Sequence, residues 1–146
     1  MGSIQCTRIV FAVSLILLLP YATLRMFGIL GCVFGQFFAE FMDFLQLVVT
    51  VAADLFYVYK GMRAAIKLDE RLITKCNKYF TVCFILSILS LIMTTCFDDE
   101  EMIAIAYEAM NVCVLSFSGV SLFLLNMKLF DAKEDTNNNA HREASV

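Results

Sequence analysis

The sequence predicts an all-α integral membrane protein: an antiparallel bundle of four transmembrane helices joined by short loops. Apolar residues make up 60% of the 146 residues and charged residues only 17%, whereas about a quarter of the residues in a soluble domain are charged. The apolar residues form four long runs instead of one face of a periodic pattern. Each run has about the 20 residues that a helix needs to cross the hydrocarbon core.

The four predicted spans follow one another closely and leave no room for a soluble domain. They cover residues 9–27, 37–59, 79–97 and 102–127, within a membrane domain of residues 1–130. The tail, residues 131–146, contains three consecutive asparagines and has no apolar face, so we predict that it is a disordered cytoplasmic segment. A cleaved signal peptide ending near Ala22 is an alternative for the first span, although Pro20 makes a poor cleavage site.

Lysine and arginine are distributed unevenly between the two ends of the predicted spans. Six of the 11 basic residues lie between residues 60 and 78, three follow residue 127, and Arg8 precedes the first span. Only Arg25 falls at the other end. Because basic residues concentrate on the cytoplasmic side, both termini are predicted to be cytoplasmic, in the plasma membrane or in a membrane of the secretory pathway.

Four consecutive carboxylates separate the third and fourth spans. Asp98, Asp99, Glu100 and Glu101 lie in an outer loop in the predicted orientation. Carboxylates at the start of a helix cap its free N–H groups and complement its dipole. They would also raise the local concentration of cations at the outer mouth of a pore.

Polar residues recur along one face of the second span at spacings of three or four residues. This seam comprises Gln36, Glu40, Asp43, Leu47, Thr50 and Asp54. Ionisable groups in a bilayer are costly and are usually paired or functional. Arg25 in the first span and Glu108 and Asn111 in the fourth extend the pattern, so the polar faces are predicted to turn inward and to pair across helices.

Counting helical residues from the predicted interfaces gives a depth for each seam residue. Arg25, Glu40 and Glu108 fall near the outer surface, and Asp43 falls about one turn deeper. These four residues are predicted to form an outer cluster, in which Arg25 can neutralise one carboxylate, or two partially. If the cluster only fastens the first helix to the second, Arg25 is paired with Glu40 or Asp43. Asp54 is predicted to lie about one turn from the cytoplasmic surface and to reach towards the basic loop. Leu47 is a candidate hydrophobic constriction if the seam lines a cation pathway.

The sequence lacks the motifs of the common catalytic classes. It contains no C-x-x-C pair, phosphate-binding loop or nucleophile motif, and its single histidine, His141, lies in the tail. We therefore expect no enzymatic activity, cofactor or metal centre, and the net charge of −3 argues against nucleic acid as a partner. Cys32 and Cys96 lie at the outer end and form a candidate disulfide.

Two functions compete on this sequence. The small size, short loops and missing catalytic groups favour a non-catalytic accessory or assembly subunit, whose partners are the lipid bilayer and other membrane subunits or copies of itself. The carboxylate seam favours an oligomeric cation channel or transporter. A membrane enzyme that relies on carboxylates alone is a third alternative.

Overall fold

The chain folds into four long α-helices. A computed structural model gives the backbone of residues 2–34, 41–97 and 102–145. Helix α1 covers Gly2–Val33, α2 covers Phe41–Lys67, α3 covers Glu70–Phe97 and α4 covers Met102–Ala144. All four are long and apolar enough to span a membrane, since about 20 residues suffice. The structure thus confirms the predicted all-helical architecture, with four apolar helices that are each long enough to span a membrane.

The helices form a ring in which each one packs against two others. Helix α2 contacts α1 and α3, helix α4 contacts α3, and the ring closes through contacts between α4 and α1. Within the described ranges, neither diagonal pair of helices makes a close backbone contact. The four inner faces therefore surround a common axis, and the side chains on those faces decide what the interior contains.

Inward-facing residues repeat along each helix at alternating spacings of three and four. On α4 they are Glu108, Asn111, Leu115, Ser118, Leu122 and Leu125, all of which are buried. This alternation keeps a single stripe on the bundle axis. Phe11, Leu15, Tyr57 and Ile73 have no exposed surface and belong to one apolar core cluster with Leu122 and Leu125.

The outward faces of all four helices are apolar. Large exposed side chains include Leu17 on α1, Phe56 on α2, Ile85 on α3, and Phe117 and Phe123 on α4. An apolar surface that surrounds a whole protein marks contact with lipid or with other proteins. The polar and charged residues of the helical bundle are concentrated inside it and at its ends.

The connection between α2 and α3 is only two residues long. Leu68 adopts a left-handed conformation with φ of 50°, and its N–H donates to the Ala64 carbonyl at 2.9 Å. Asp69 caps α3, because its Oδ1 accepts the Arg71 N–H at 3.0 Å. The Leu68 side chain packs against the apolar core cluster, and this contact compensates for the unfavourable backbone conformation.

The segment that follows the fourth predicted span is helical up to Ala144, where the sequence analysis predicts disorder. Residues 131–145 are exposed, apart from a half-buried Ala132. One ion pair ties it to the bundle, with Lys133 Nζ at 2.9 Å from Glu70 Oε2. Thr136 also donates its hydroxyl to the Ala132 carbonyl within the helix. Helical hydrogen bonds thus continue through a segment that buries almost no apolar surface.

Candidate functional site

The candidate site lies inside the ring, where inner faces of three helices bring ionisable groups together. Arg25 continues the inner stripe of α1 that includes Leu18 and Ala22. Asp54 occupies the same stripe of α2 as Thr50, and Glu108 begins the stripe of α4. The spacing of three and four residues therefore aims these charged side chains at the bundle axis.

Arg25 bridges the two carboxylates. Its Nη1 donates to Asp54 Oδ2 at 2.7 Å, and its Nη2 donates to Glu108 Oε2 at 2.6 Å. Arg25 and Asp54 are each 4% exposed and Glu108 is 9% exposed. One guanidinium thus joins α1, α2 and α4, using the fork geometry that suits arginine to carboxylate recognition. We call these three residues the ion cluster.

The ion cluster does not balance in formal charge. One guanidinium faces two carboxylates, so the cluster carries one excess negative charge when all three groups are ionised. No other charged side chain is buried in the part of the chain that the structure describes. A charge inside an apolar environment is costly unless it is paired and hydrogen-bonded. The second carboxylate therefore needs a further positive partner or a proton.

Three neighbouring contacts surround the ion cluster. The Tyr107 hydroxyl donates to the Tyr21 carbonyl at 2.6 Å, and their rings lie 5.2 Å apart. This pair forms a second link between α1 and α4 beside Arg25. Between α3 and α2, the Cys83 thiol donates to the carbonyl of Ala53, the residue before Asp54, at 3.1 Å. Every helix of the ring thus contributes a group at this level.

Two buried polar side chains near the ion cluster have no hydrogen-bond partner. Both the Oδ1 and the Nδ2 atoms of Asn111 are unpaired, and so is the Oγ atom of Ser87. Asn111 lies one helical turn after Glu108 on the inner face of α4, and Ser87 lies one turn after Cys83 on α3. Buried polar groups are almost always paired in folded proteins, so these two exceptions point to a polar partner, such as a water or an ion, that the protein's own side chains do not supply.

A hydrogen bond between two side chains and a layer of apolar side chains fill the interior on the side of the α2–α3 connection. The Tyr57 hydroxyl lies 2.7 Å from Ser118 Oγ and joins α2 to α4 across the diagonal of the ring. The Phe80 ring of α3 stacks against Tyr57 at 5.9 Å. Beyond this layer the inner faces carry mainly apolar side chains of the core cluster, such as Phe11 and Leu125.

The structure places the predicted seam residues in several different environments. Thr50 is buried and donates its hydroxyl to the Gln46 carbonyl on its own helix. Leu47 lies against α1, with its Cδ2 3.3 Å from the position of a Cβ on Gly28. Gln36, Glu40 and Asp98–Glu101 lie outside the described residues, as do the side chains of Asp43 and Cys32.

The expectation for Asp54 is wrong. Asp54 does not reach towards the basic loop, because it is buried and bonded to Arg25. Arg25 is bonded to Asp54 and Glu108. The sequence places Arg25 and Glu108 in one predicted cluster, but it does not predict the contact with Asp54. Cys96 is exposed, and its pairing with Cys32 stays a prediction because the Cys32 side chain lies outside the described residues.

Sequence reasoning missed the role of Tyr57. It ended the second-span seam at Asp54, although the same spacing continues through Tyr57, Gly61 and Ala64, all of which are buried. Continuing the spacing of three or four residues past Asp54 leads to Tyr57, which marks the end of the polar part of the interior. Tyr107 was also missed, and its position beside Glu108 gave no periodic signal.

The ion cluster differs from a conventional metal centre. Among the described residues, no group of three or more His, Cys, Asp or Glu side chains could hold a metal ion. Comparison with protein-family models, with curated proteins and with solved structures finds no match to this chain.

Proposed function

We propose that the protein crosses the membrane four times as an antiparallel bundle and serves as a non-catalytic accessory or assembly subunit of a larger membrane complex. Contacts between helix ends support the antiparallel arrangement. Phe11 and Leu15, early in α1, pack at Gly61, late in α2, whereas Gly28, late in α1, faces Leu47. Thr7 likewise accepts a hydrogen bond from Lys128, late in α4, at 2.6 Å.

The observation that carries this proposal is the contrast between a filled interior and a predominantly apolar exterior. The interior on one side of Tyr57 is filled by its own side chains, which leaves little space for a substrate. The exterior offers helix faces with large exposed residues such as Leu89 and Phe123. In a bilayer such faces recognise other helices through packing, and assembly subunits use this kind of surface.

The basic residues support an orientation for this bundle. Arg63, Lys67, Arg71, Lys75 and Lys78 are exposed around the α2–α3 connection. Arg8 lies at the same end and donates to the Ile66 carbonyl at 3.3 Å. Basic residues gather on the cytoplasmic side, so we place this end, with both termini, in the cytoplasm, in the plasma membrane or in a membrane of the secretory pathway.

Purification from native membranes in mild detergent tests the accessory role. We expect an unrelated membrane protein to co-purify at a fixed stoichiometry. Photo-crosslinkers placed at Leu17, Leu55, Leu89 and Phe123, one per helix and all exposed, would then locate the interface. A subset of the four positions should crosslink to the partner, and the others should crosslink to lipid and serve as controls. A homo-oligomer alone, or lipid at all four positions, would contradict the proposal.

Cation transport is a second candidate, and the unbalanced charge of the ion cluster favours it. A route for cations needs negative charge inside the bundle, and Asp54 and Glu108 provide it. Reconstitution into liposomes tests this candidate by measuring flux through the wild type and through Leu47→Ser, which removes a bulky side chain from the α1–α2 contact. Transport predicts a measurable flux that increases in the variant, whereas no flux in either protein eliminates this function.

A further inference from the structure

We propose that the interior of the bundle binds one small monovalent cation beside Arg25, held by the carboxylates of Asp54 and Glu108 and by the amide oxygen of Asn111. The site is separate from the accessory role and does not require the ion to cross the membrane. Its ligand class is defined by charge and size: one unit of positive charge in a compact ion. An alkali-metal ion and a proton bound to one of the carboxylates are the two sources of that charge.

The first support is the charge of the interior. Arg25, Asp54 and Glu108 are the only charged side chains among the buried residues that the structure describes, and they sum to one negative charge. Arg25 uses Nη1 for one carboxylate and Nη2 for the other. The guanidinium supplies one positive charge for two carboxylates, so neutralising the remaining charge requires a cation that no other described buried residue supplies.

The second support is independent of charge and comes from Asn111. Its side chain is 1% exposed, and neither its Oδ1 nor its Nδ2 has a partner. It stands three residues after Glu108 on the inner face of α4, a rise of about 4.5 Å along the helix. An amide oxygen is a suitable neutral ligand for a hard cation, and the Nδ2 group can donate to a water that accompanies it.

Ser87 supports the same level of the bundle from the neighbouring helix α3. Its hydroxyl is buried and has no partner. It lies one turn after Cys83, whose thiol bonds to the carbonyl next to Asp54. Two unpaired oxygens on neighbouring helices thus lie within about one turn of residues that contact the ion cluster. Glu108 has the most exposed side chain of the ion cluster, at 11%, so an ion would enter past Glu108.

Few other groups at this level could produce a response to pH. The titratable side chains that face the ion cluster are Tyr21 on α1, Tyr57 on α2, Cys83 on α3 and Tyr107 on α4. Tyrosine, cysteine and arginine ordinarily change charge only above about pH 8. These neighbouring side chains therefore do not contribute to a response between about pH 5 and pH 8.

Thermal stability of the purified protein in mild detergent tests the site, with the fraction that stays monodisperse after heating as the readout. The first arm compares sodium and potassium with choline at equal ionic strength and fixed pH. The second arm lowers the pH in choline alone. Binding to the folded state alone predicts that, above the dissociation constant, each tenfold rise in ion concentration raises the folding equilibrium constant up to tenfold.

The sign of the pH response follows from proton binding. If one carboxyl carries a proton in the folded state but not in the unfolded chain, the folded state binds more protons. Stability then rises as the pH falls and is lost as the pH rises. A response to alkali ions identifies a metal ion as the occupant, and a response to pH alone identifies the proton.

Two variants separate this site from general salt and pH effects. Glu108→Gln leaves one carboxylate for Arg25, so both responses should disappear. Glu70→Gln removes an exposed carboxylate that also pairs with a cation, Lys133, and should respond like the wild type. If Glu108→Gln does not fold, Asp54→Asn removes the same excess charge. Absence of a response in the wild type, or an equal response in Glu108→Gln, overturns the proposal.

Discussion

At the scale of single residues, Arg25 differs from the other basic residues of the chain because it is buried. Water cannot solvate its charge if its carboxylate partners are lost. Its guanidinium holds two carboxylates that are themselves buried. Breaking a buried ion pair leaves an uncompensated charge in an apolar environment. The resulting loss of stability is larger than the net stabilisation that the intact pair provides. The exposed pair of Lys133 with Glu70 offers the opposite case, since both side chains are more than half exposed.

Replacement of Arg25 by glutamine should therefore destabilise the protein strongly. We expect a loss of about 3–5 kcal/mol in the free energy of unfolding, because Asp54 and Glu108 are left without a cation. Lys133→Gln is the matched control and should cost less than about 1 kcal/mol. Unfolding in mixed micelles with a denaturing detergent would measure both, and equal losses would argue against a buried cluster.

A triple variant separates charge from packing. Arg25→Gln combined with Asp54→Asn and Glu108→Gln removes all three charges and keeps side chains that can bond to one another. We expect it to recover part of the stability that Arg25→Gln loses, since no charge remains buried. A triple variant as unstable as Arg25→Gln would mean that the shape of the guanidinium, and not its charge, holds the helices together.

The sequence predicted an inward orientation for these polar residues and a cluster that contains Arg25 and Glu108, but it did not predict that Asp54 would join them. Counting along the helices compares Cα levels, and it separated Arg25 from Asp54. Side chains on a helix lean towards its N-terminus. Because the start of α1 lies beside the end of α2, Arg25 and Asp54 lean towards each other. The length of the two side chains therefore spans the difference in level between their Cα atoms. This contact depends on how α1 and α2 are placed beside each other, which the pattern within one helix does not reveal.

At the scale of whole helices, the approach of α3 to α4 depends on Gly119. A Cβ atom at this position would overlap the Phe80 ring. That ring is also confined by Phe84 at 5.7 Å and Tyr57 at 5.9 Å. Small residues at helix contacts allow close packing in this way, and here the space left by glycine is filled by an aromatic ring.

Gly119→Ala should accordingly destabilise the bundle by about 1–3 kcal/mol, the usual cost of overpacking. Gly28→Ala is the control, since its added methyl group would meet only one atom, Leu47 Cδ2, at 3.3 Å. Thermal unfolding in detergent would compare them. Phe80→Leu in the Gly119→Ala background should restore part of the loss, and a failure to do so would locate the strain elsewhere.

The end of α4 illustrates a limit of composition as a guide. Residues 131–146 bury almost no apolar surface, and this predicted disorder. Several of them are nevertheless good helix formers, such as Ala132, Lys133 and Glu134, and a helix that is already nucleated adds residues easily. Propagation from the preceding span therefore accounts for a helix that the segment's own composition does not predict.

Deletion of residues 135–146 should leave the bundle as stable as the full chain. Every described side chain in this segment is exposed, and the ion pair of Lys133 with Glu70 stays in place. Expression level and thermal stability in detergent would measure the effect. A shift in midpoint of more than a few degrees would show that this end of α4 makes a stabilising contact.

At the scale of the molecule, four apolar helices follow directly from composition, whereas their order around the ring does not. The contact of α1 with α4 brings Arg25 to Glu108, and no periodic pattern within a single helix specifies it. Polar matching between helices supplies this information. Sequence patterns thus gave the number of elements and their inner faces, and the interior chemistry depends on which faces meet.

Labelling with a membrane-impermeant maleimide in intact cells tests the proposed orientation. Cys6 and Cys96 are both exposed and lie near opposite ends of the bundle. In a Cys32→Ser background, we expect labelling that is lost in Cys96→Ser and kept in Cys6→Ser, because only Cys96 is expected to face the exterior. The reverse pattern would invert the topology.

The ion cluster also has a consequence for how the protein is made. Arg25 and Asp54 are 29 residues apart in the chain, whereas Arg25 and Glu108 are 83 residues apart. During synthesis the first two helices can form a neutral pair as soon as both have emerged from the ribosome. The excess charge arrives only with the last helix, when α4 closes the ring on α1. A nascent chain halted after α3 would thus be electrically balanced inside but open along one side, and uptake of the proposed cation would coincide with the final step of assembly.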